Sequence, residues 1–273
     1  MKQLFLMSVV GLLILPIPVL HAKPDGKVTV QWLGHASFKL TSVSGKVIVI
    51  DPFISKNPKL EDEHKDLNKL GKVDLILVTH AHGDHVGDGP ELAKKHNAPL
   101  YAPAGLNDSL VALGVLPVEL SPRFNKGGVI KPLGDDIKIT MTRAEHSSEF
   151  KWTNPQTGKQ EIHVGGEPAG FIIEFENGFK VYHMGDTGLF GDMRFIGEYY
   201  QPDMVLIPVG GHFVLSPTDA AYATRQYFKP KYAVPMHYGT NPRLTGTPEE
   251  YINALGITST KVLNMKIWEA ISF

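Results

Sequence analysis

Cysteine is absent from the 273 residues. That one absence excludes disulfides, thiolate metal sites, cysteine nucleophiles and a lipid-modified N-terminal cysteine. Charge of one sign is also lacking: 27 Lys and Arg stand against 28 Asp and Glu. No global basic field exists to hold a polyanion, so a nucleic-acid partner is not expected. Internal repeats, low-complexity tracts and linker-like stretches are missing as well. What is present is a globular composition, 42% apolar and 20% charged, long enough for one large domain or two small ones. The 27 Gly and 20 Pro call for many turns. The unusual feature is histidine, present twelve times and clustered.

The first 22 residues read as an export signal rather than as part of the fold. Lys2 precedes an uncharged apolar stretch from Leu4 to Leu15, and Ala22 follows just before Lys23-Pro24-Asp25. Pro16 and Pro18 fall within the 17 residues from Leu4 to Leu20 that a span would need, which argues against a retained membrane anchor. The expectation is therefore a signal peptide over 1–22 and one mature domain over 23–273. The mature protein would be periplasmic or secreted, with no stable membrane insertion after cleavage. A chain without cysteine meets no folding problem in an oxidising compartment.

Along the mature chain, Lys27 to Leu33, the segment from Ser37 and Lys46 to Asp51 read as strands. Lys56 to Lys72 is a charged connection, and Val73 to Thr79 is an apolar run expected as a central strand. Gly89 to His96 looks helical, Leu100 opens a short strand, and Ile137 to Arg143 alternates as another. Glu149 to Pro168 shows no periodicity and is expected as a long loop. Asn177-Gly178 sits between Gly170 to Glu176 and Phe179 to His183, a hairpin signal. Strands and helices then alternate: Met204 to Val209, Thr218 to Phe228, Tyr232 to Pro235, Pro248 to Leu255 and Lys261 to Trp268. Hairpins early in each half, with helices between the later strands, suggest two sheets covered by helices.

The chemistry begins where the central apolar run ends, in Thr79-His80-Ala81-His82-Gly83-Asp84-His85. Residues i and i+2 of an extended segment face the same way, so His80 and His82 can grip one ion. Gly83 would let the backbone turn, aiming Asp84 and His85 at a second position. Further ligand types stand at other strand ends: His146, Asp186 and His237. Alone, each would read as a structural histidine or a turn aspartate. Together they complete a set.

These residues, with Trp32-Leu33-Gly34-His35-Ala36-Ser37, Asp51-Pro52-Phe53, His146-Ser147-Ser148, Gly185-Asp186-Thr187-Gly188-Leu189-Phe190 and Pro235-Met236-His237-Tyr238, resemble the metallo-β-lactamase superfamily. The branch they resemble is the metal-dependent hydrolases related to ascorbate-6-phosphate lactonase and N-acyl-phosphatidylethanolamine phospholipase D. The resemblance implies an α+β fold, a four-layer αββα sandwich with a metal centre at one edge of the sheets. It also implies His80, His82 and His146 on one metal, Asp84, His85 and His237 on a second, and Asp186 between them. An export signal is a departure from similar proteins, which are mostly cytoplasmic.

Imidazoles and carboxylates without thiolate suit two divalent ions, Zn first and Mn or Fe as alternatives. Two such ions roughly 3.5–4 Å apart can share a hydroxide that attacks a carbonyl or phosphoryl centre. Asp84 is expected to carry a proton besides binding metal. His212, in Gly210-Gly211-His212-Phe213, is the candidate for holding the developing anion. Around the ligands, His35, Asp51 and His183 are candidates for orienting them, and His163 and Trp152 for a lid. Arg143, Arg194, Arg225 and Arg243 are candidates for an anion clamp. The expected activity is hydrolysis of an ester, lactone or phosphodiester of a small molecule. β-Lactam hydrolysis and a non-catalytic metal-binding role on the same fold are the alternatives.

Overall fold

One strand plan, an antiparallel meander followed by parallel crossovers, is laid down twice along the chain. The computed structural model describes residues 24–273, so the expected export signal lies outside the described residues. In the first half, β1 (Thr29–Gly34), β2 (Ser37–Thr41) and β3 (Val47–Ile50) form the meander. β4 (Leu75–Leu77), α1 (Gly83–Val86), α2 (Gly89–His96), β5 (Leu100–Pro103), α3 (Ala104–Ala112) and β6 (Arg123–Phe124) follow. Strands β3 to β6 are parallel neighbours.

The second half starts with β7 (Val129–Ile130) and β8 (Lys138–Arg143). A separate hairpin, β9 (Glu149–Thr153) and β10 (Gln160–Val164), precedes β11 (Ala169–Glu174) and β12 (Lys180–His183). Then come α4 (Met193–Tyr200), β13 (Met204–Pro208), α5 (Pro217–Ala223) with a π-helical turn (Thr224–Phe228), and β14 (Tyr232–Met236). Helix α6 (Pro248–Leu255) and β15 (Lys261–Val262) complete this sheet. β16 (Ala270–Ser272) returns to the edge of the first sheet beside β1.

Strand periodicity divides the apolar side chains among three cores. Leu75 and Leu77 of β4 face inward with Phe38, Ile139, Phe171 and Leu206, filling the space between the sheets. Ile76 faces outward onto Leu92 of α2 and Leu106 and Leu110 of α3. In the second sheet, Val205 and Ile207 of β13 face outward onto Met193 and Ile196 of α4 and Tyr251 of α6. Both faces of these strands are covered, which is why they read as near-continuous apolar runs. The layers are helix, sheet, sheet, helix: the expected αββα sandwich. Each fully buried Leu, Ile or Phe contributes roughly 1.5–3 kcal/mol.

Three expectations change. Residues 149–168 are not a structureless loop, because β9 and β10 pair with each other across the Asn154–Lys159 turn. The hairpin belongs to neither large sheet and leaves Ile162 and Val164 of β10 exposed, so only the short β9 alternates against a core. Lys261 to Trp268 is not one strand: only Lys261 and Val262 pair with β14 before the chain crosses to the other sheet. Helices α3 and α4 were not expected.

Candidate metal centre

The chain runs on from β4 to His82, which is still extended at φ −66° and ψ 149°, and α1 begins at Gly83. This places Nε2 of His80 3.0 Å from Nδ1 of His82. His146, beyond the end of β8, joins them, one nitrogen from each ring lying within 4.8 Å of the others. Asp84 and His85 sit in α1 and meet His237 from the end of β14, with His35 alongside, on the same 4.8 Å measure. Gly83 is not needed for the turn. Its φ is not in the left-handed region, and nothing lies within 4 Å of where a Cβ would stand.

Asp186 joins the two groups. Its Oδ2 lies 2.9 Å from Nε2 of His237, 3.3 Å from His85, 3.6 Å from His146 and 3.9 Å from His80. Gly185 makes this loop attainable: at φ 63°, a Cβ there would stand 2.6 Å from the Ala169 carbonyl oxygen and 2.9 Å from Thr79 Cβ. His183 steadies the same loop, donating from Nε2 to the Ala36 carbonyl (2.8 Å) and accepting from Gly185 N–H (3.2 Å).

Acceptors on the far side of the rings orient them. Asp51 is fully buried and accepts from Nδ1 of His85 at 2.8 Å. It also accepts from the Thr79 N–H and hydroxyl, each at 2.7 Å. The Thr79 hydroxyl in turn accepts from Nδ1 of His80 at 3.1 Å. Nε2 of His82 donates to Glu149 at 3.1 Å. In each ring the opposite nitrogen is left as a lone pair facing the centre. His35 donates from Nε2 to Asp84 (3.0 Å) and meets the Thr240 hydroxyl at Nδ1 (2.9 Å). His35, Asp51 and His237 all take left-handed backbone angles, φ 54°, 47° and 57°. Such conformations cost about 1–3 kcal/mol each and persist where the surroundings impose them.

Nε2 of His85, both ring nitrogens of His237 and Oδ1 of Asp186 are buried with no hydrogen-bond partner. Nε2 of His85 and Nε2 of His237 both point at Oδ2 of Asp186, at 3.3 and 2.9 Å, as donors converging on a cation do. Nitrogen and carboxylate donors without sulfur fit a divalent ion. The carboxylates here draw positive charge, which a proton on His85 supplies in the metal-free protein and a bound cation would displace. Burial and the neighbouring His85 hold His80 well below its usual value, leaving it neutral. Burial opposes charge on His85 too, but Asp186, Asp51 and Asp84 outweigh it and raise its pKa. The Asp186 carboxyl stays well below the usual range despite burial, because His237 and His85 face it. Asp84 is lowered against burial by His85 and His35.

A cleft of about 450 Å3 opens onto the centre. His82, Asp84, His146, Asp186 and His237 form its floor, while Ser147, Glu149, Lys151, Phe213 and Asn241 form its walls. His212 does not line it. Its ring is exposed, folded edge-on against Phe213 at 4.4 Å, and Phe213 takes the wall position instead. His212 takes a left-handed backbone (φ 56°), a local conformation that position after a strand could not reveal. The four arginines are not on the walls either; Arg143 pairs with Glu145, and Arg194 with Glu198. Glu149 and Lys151 were missed because the hairpin was. Their i, i+2 spacing on β9 was the available signal, since Phe150 between them is buried.

Residues 46–238 match the family described as Beta-lactamase superfamily domain. A UPF0173 metal-dependent hydrolase from Polaromonas is 56% identical over 263 residues, covering 95% of this chain and 96% of the relative. One from Cupriavidus necator is 56% identical over 232 residues, covering 85% and 80%. Among solved structures, Igni18, a metallo hydrolase from Ignicoccus hospitalis, superposes with a TM-score of 0.74 at 34% identity, covering 90% of this chain and 98% of that one. The chain belongs to the beta-lactamase superfamily and is one of its UPF0173 metal-dependent hydrolases.

Proposed function

We propose that the protein is an exported dinuclear hydrolase that cleaves an ester, lactone or phosphodiester of a small molecule. The observation that carries this reading is the Asp186 carboxylate standing between two histidine groups, within 4 Å of four imidazole nitrogens. His80, His82 and His146 would hold one divalent ion, Asp84, His85 and His237 the other, with Asp186 shared. Zn suits this donor set, with Mn or Fe as alternatives. When bound, the ions supply Lewis acidity, polarising the substrate's oxygen and making water acidic enough to act as nucleophile near neutral pH.

The chain's own residues do the rest. Asp186 places negative charge between two cations that would otherwise repel. Asp84 has Oδ2 engaged by His35 and lies on the floor of the cleft, where its carboxylate can ligate or receive a proton. Phe213 gives the cleft an apolar wall, and Asn241 and Lys151 give it polar ends suited to a small, partly polar substrate. Export rests on the basic start, apolar stretch and small residue at Ala22.

The test is metal content and hydrolysis of a generic phosphodiester and a generic aryl ester, with Asp186→Asn as the blank. About two equivalents of metal per chain, and cleavage lost on chelation and in the blank, are the expected results. One equivalent in an active enzyme would overturn the dinuclear reading. Fully loaded protein that cleaves neither bond would overturn the substrate class. Cell fractionation tests export, with mature protein expected outside the cytoplasm.

A further inference from the structure

A second cleft, about 480 Å3, lies behind the centre and shares no lining residue with the first. The loop after β14 runs between the two. It contributes His237 and Asn241 to the metal cleft, and Tyr238, Gly239 and Thr240 to the rear one. The rear walls are apolar: Trp32, Met265, Ile267 and the ring of Tyr238. Trp32 and Tyr238 lie 5.6 Å apart at 32°; Trp32 and Met265 are nearly buried, so the open apolar surface is mainly that of the half-buried Tyr238 and Ile267. The indole N–H of Trp32 is already spent on the His35 carbonyl at 3.0 Å, so Trp32 offers only its apolar face.

The rim has the opposite character. Lys59 and Lys266 both line the cleft, both are exposed, and neither makes an ion pair among the described residues. Other exposed lysines of this protein do find carboxylates: Lys72 pairs with Asp74, and Lys231 with Asp203. No acidic side chain lines the rear cleft to neutralise the two ammonium groups. At its floor, His35 meets the Thr240 hydroxyl on one nitrogen and donates to Asp84 on the other. A single imidazole therefore separates this cleft from the metal cleft.

We infer that the rear cleft is a second ligand site, taking a small amphipathic anion with an aromatic or acyl body and a carboxylate-type head. The body packs on Trp32, Tyr238, Met265 and Ile267, and the head pairs with Lys59 and Lys266. The volume suits a small molecule rather than a chain segment. Binding here does not require the dinuclear reading to hold.

The probes are phenylbutyrate and its neutral counterpart phenylbutanol, titrated calorimetrically into the purified metal-loaded enzyme with tryptophan fluorescence in parallel. Phenylbutyrate is expected to bind about five- to tenfold more tightly than phenylbutanol and to change the protein's tryptophan fluorescence. The double variant Lys59→Met, Lys266→Met keeps the aliphatic stems and should remove that difference while leaving the alcohol's affinity alone. Asp186→Asn should bind phenylbutyrate as the parent does. Loss of binding in Asp186→Asn would put the carboxylate in the metal cleft and overturn the inference. Equal affinity for the two probes, or unchanged phenylbutyrate binding in the lysine variant, would overturn it too. A cleft covered by a second copy of the chain would show no probe binding and a fluorescence signal that varies with protein concentration, again overturning it.

Discussion

The two sides of the centre are held by different means. His85 and His237 are almost fully buried, and Asp51, fully buried itself, fixes His85 and Thr79 together. The backbone there is locked in left-handed conformations at His35, Asp51 and His237. On the other side, His82 and His146 are only partly buried. The outward nitrogen of His82 rests on Glu149, half exposed, on a hairpin that joins neither sheet. One side is a fixture of the folded core, while the other is set partly by the core, through buried His80 on Thr79, and partly by an appended element. The contrast predicts that metal is held unequally, and that damage to the core side costs stability as well as metal.

Asp186→Asn should have the largest effect, because both sides share this carboxylate. Removing a group that orients a ligand costs 10–100-fold, so loss of the shared ligand should lower turnover by more than about 100-fold and empty both positions. Elemental analysis retaining one full equivalent would show that the sides are independent. Asp51→Ala should come next. It strands Nδ1 of His85 and the Thr79 N–H in the core, costing about 3–5 kcal/mol of stability with metal loss centred on His85. Chemical denaturation with metal counting checks both effects.

Acid should weaken the metal-free protein, and on the core side it acts through His35. Burial and the nearby His237 lower the pKa of His35 to about 4, against 6.5 for the free side chain. The unfolded chain therefore binds a proton that the folded one refuses. Stability is full above about pH 6.5 and declines until about pH 4, by about 3 kcal/mol from this group. His35→Asn should flatten that slope in denaturation midpoints measured across the window. Glu149→Ala should act on the outer side alone, weakening metal at His82 by at most about tenfold, with the folding midpoint unmoved. The smallest effect is expected from His212→Asn, which removes an exposed ring and keeps a residue tolerant of φ 56°. Turnover within about twofold of the parent is the expected result, and a large loss would return His212 to the chemistry.

Local pattern makes some of this legible in the sequence alone. His80, His82, Asp84 and His85 lie within six residues, and an extended segment running into a turn is enough to group them. His146, Asp186 and His237 could be placed only as ligand types at strand ends, and became a set through resemblance to a family. The Asp51–Thr79–His85 linkage joins residues up to 34 apart in sequence, and its effect depends on complete burial. Glu149 and Lys151 were hidden because the alternation runs only over the five residues of β9, while its partner β10 leaves Ile162 and Val164 exposed.

By itself the sequence determined the layered fold, through apolar runs interrupted at regular intervals, and the donor chemistry, through clustered histidines and the absence of sulfur. Both are properties of neighbours along the chain, and strand periodicity carries them over short distances. Only the tertiary structure decided which nitrogen of each ring faces the centre, that Phe213 rather than His212 walls the cleft, and that a second cleft lies behind His35. Those outcomes depend on backbone angles at single residues and on hydrogen bonds between distant strands, and no local pattern records either.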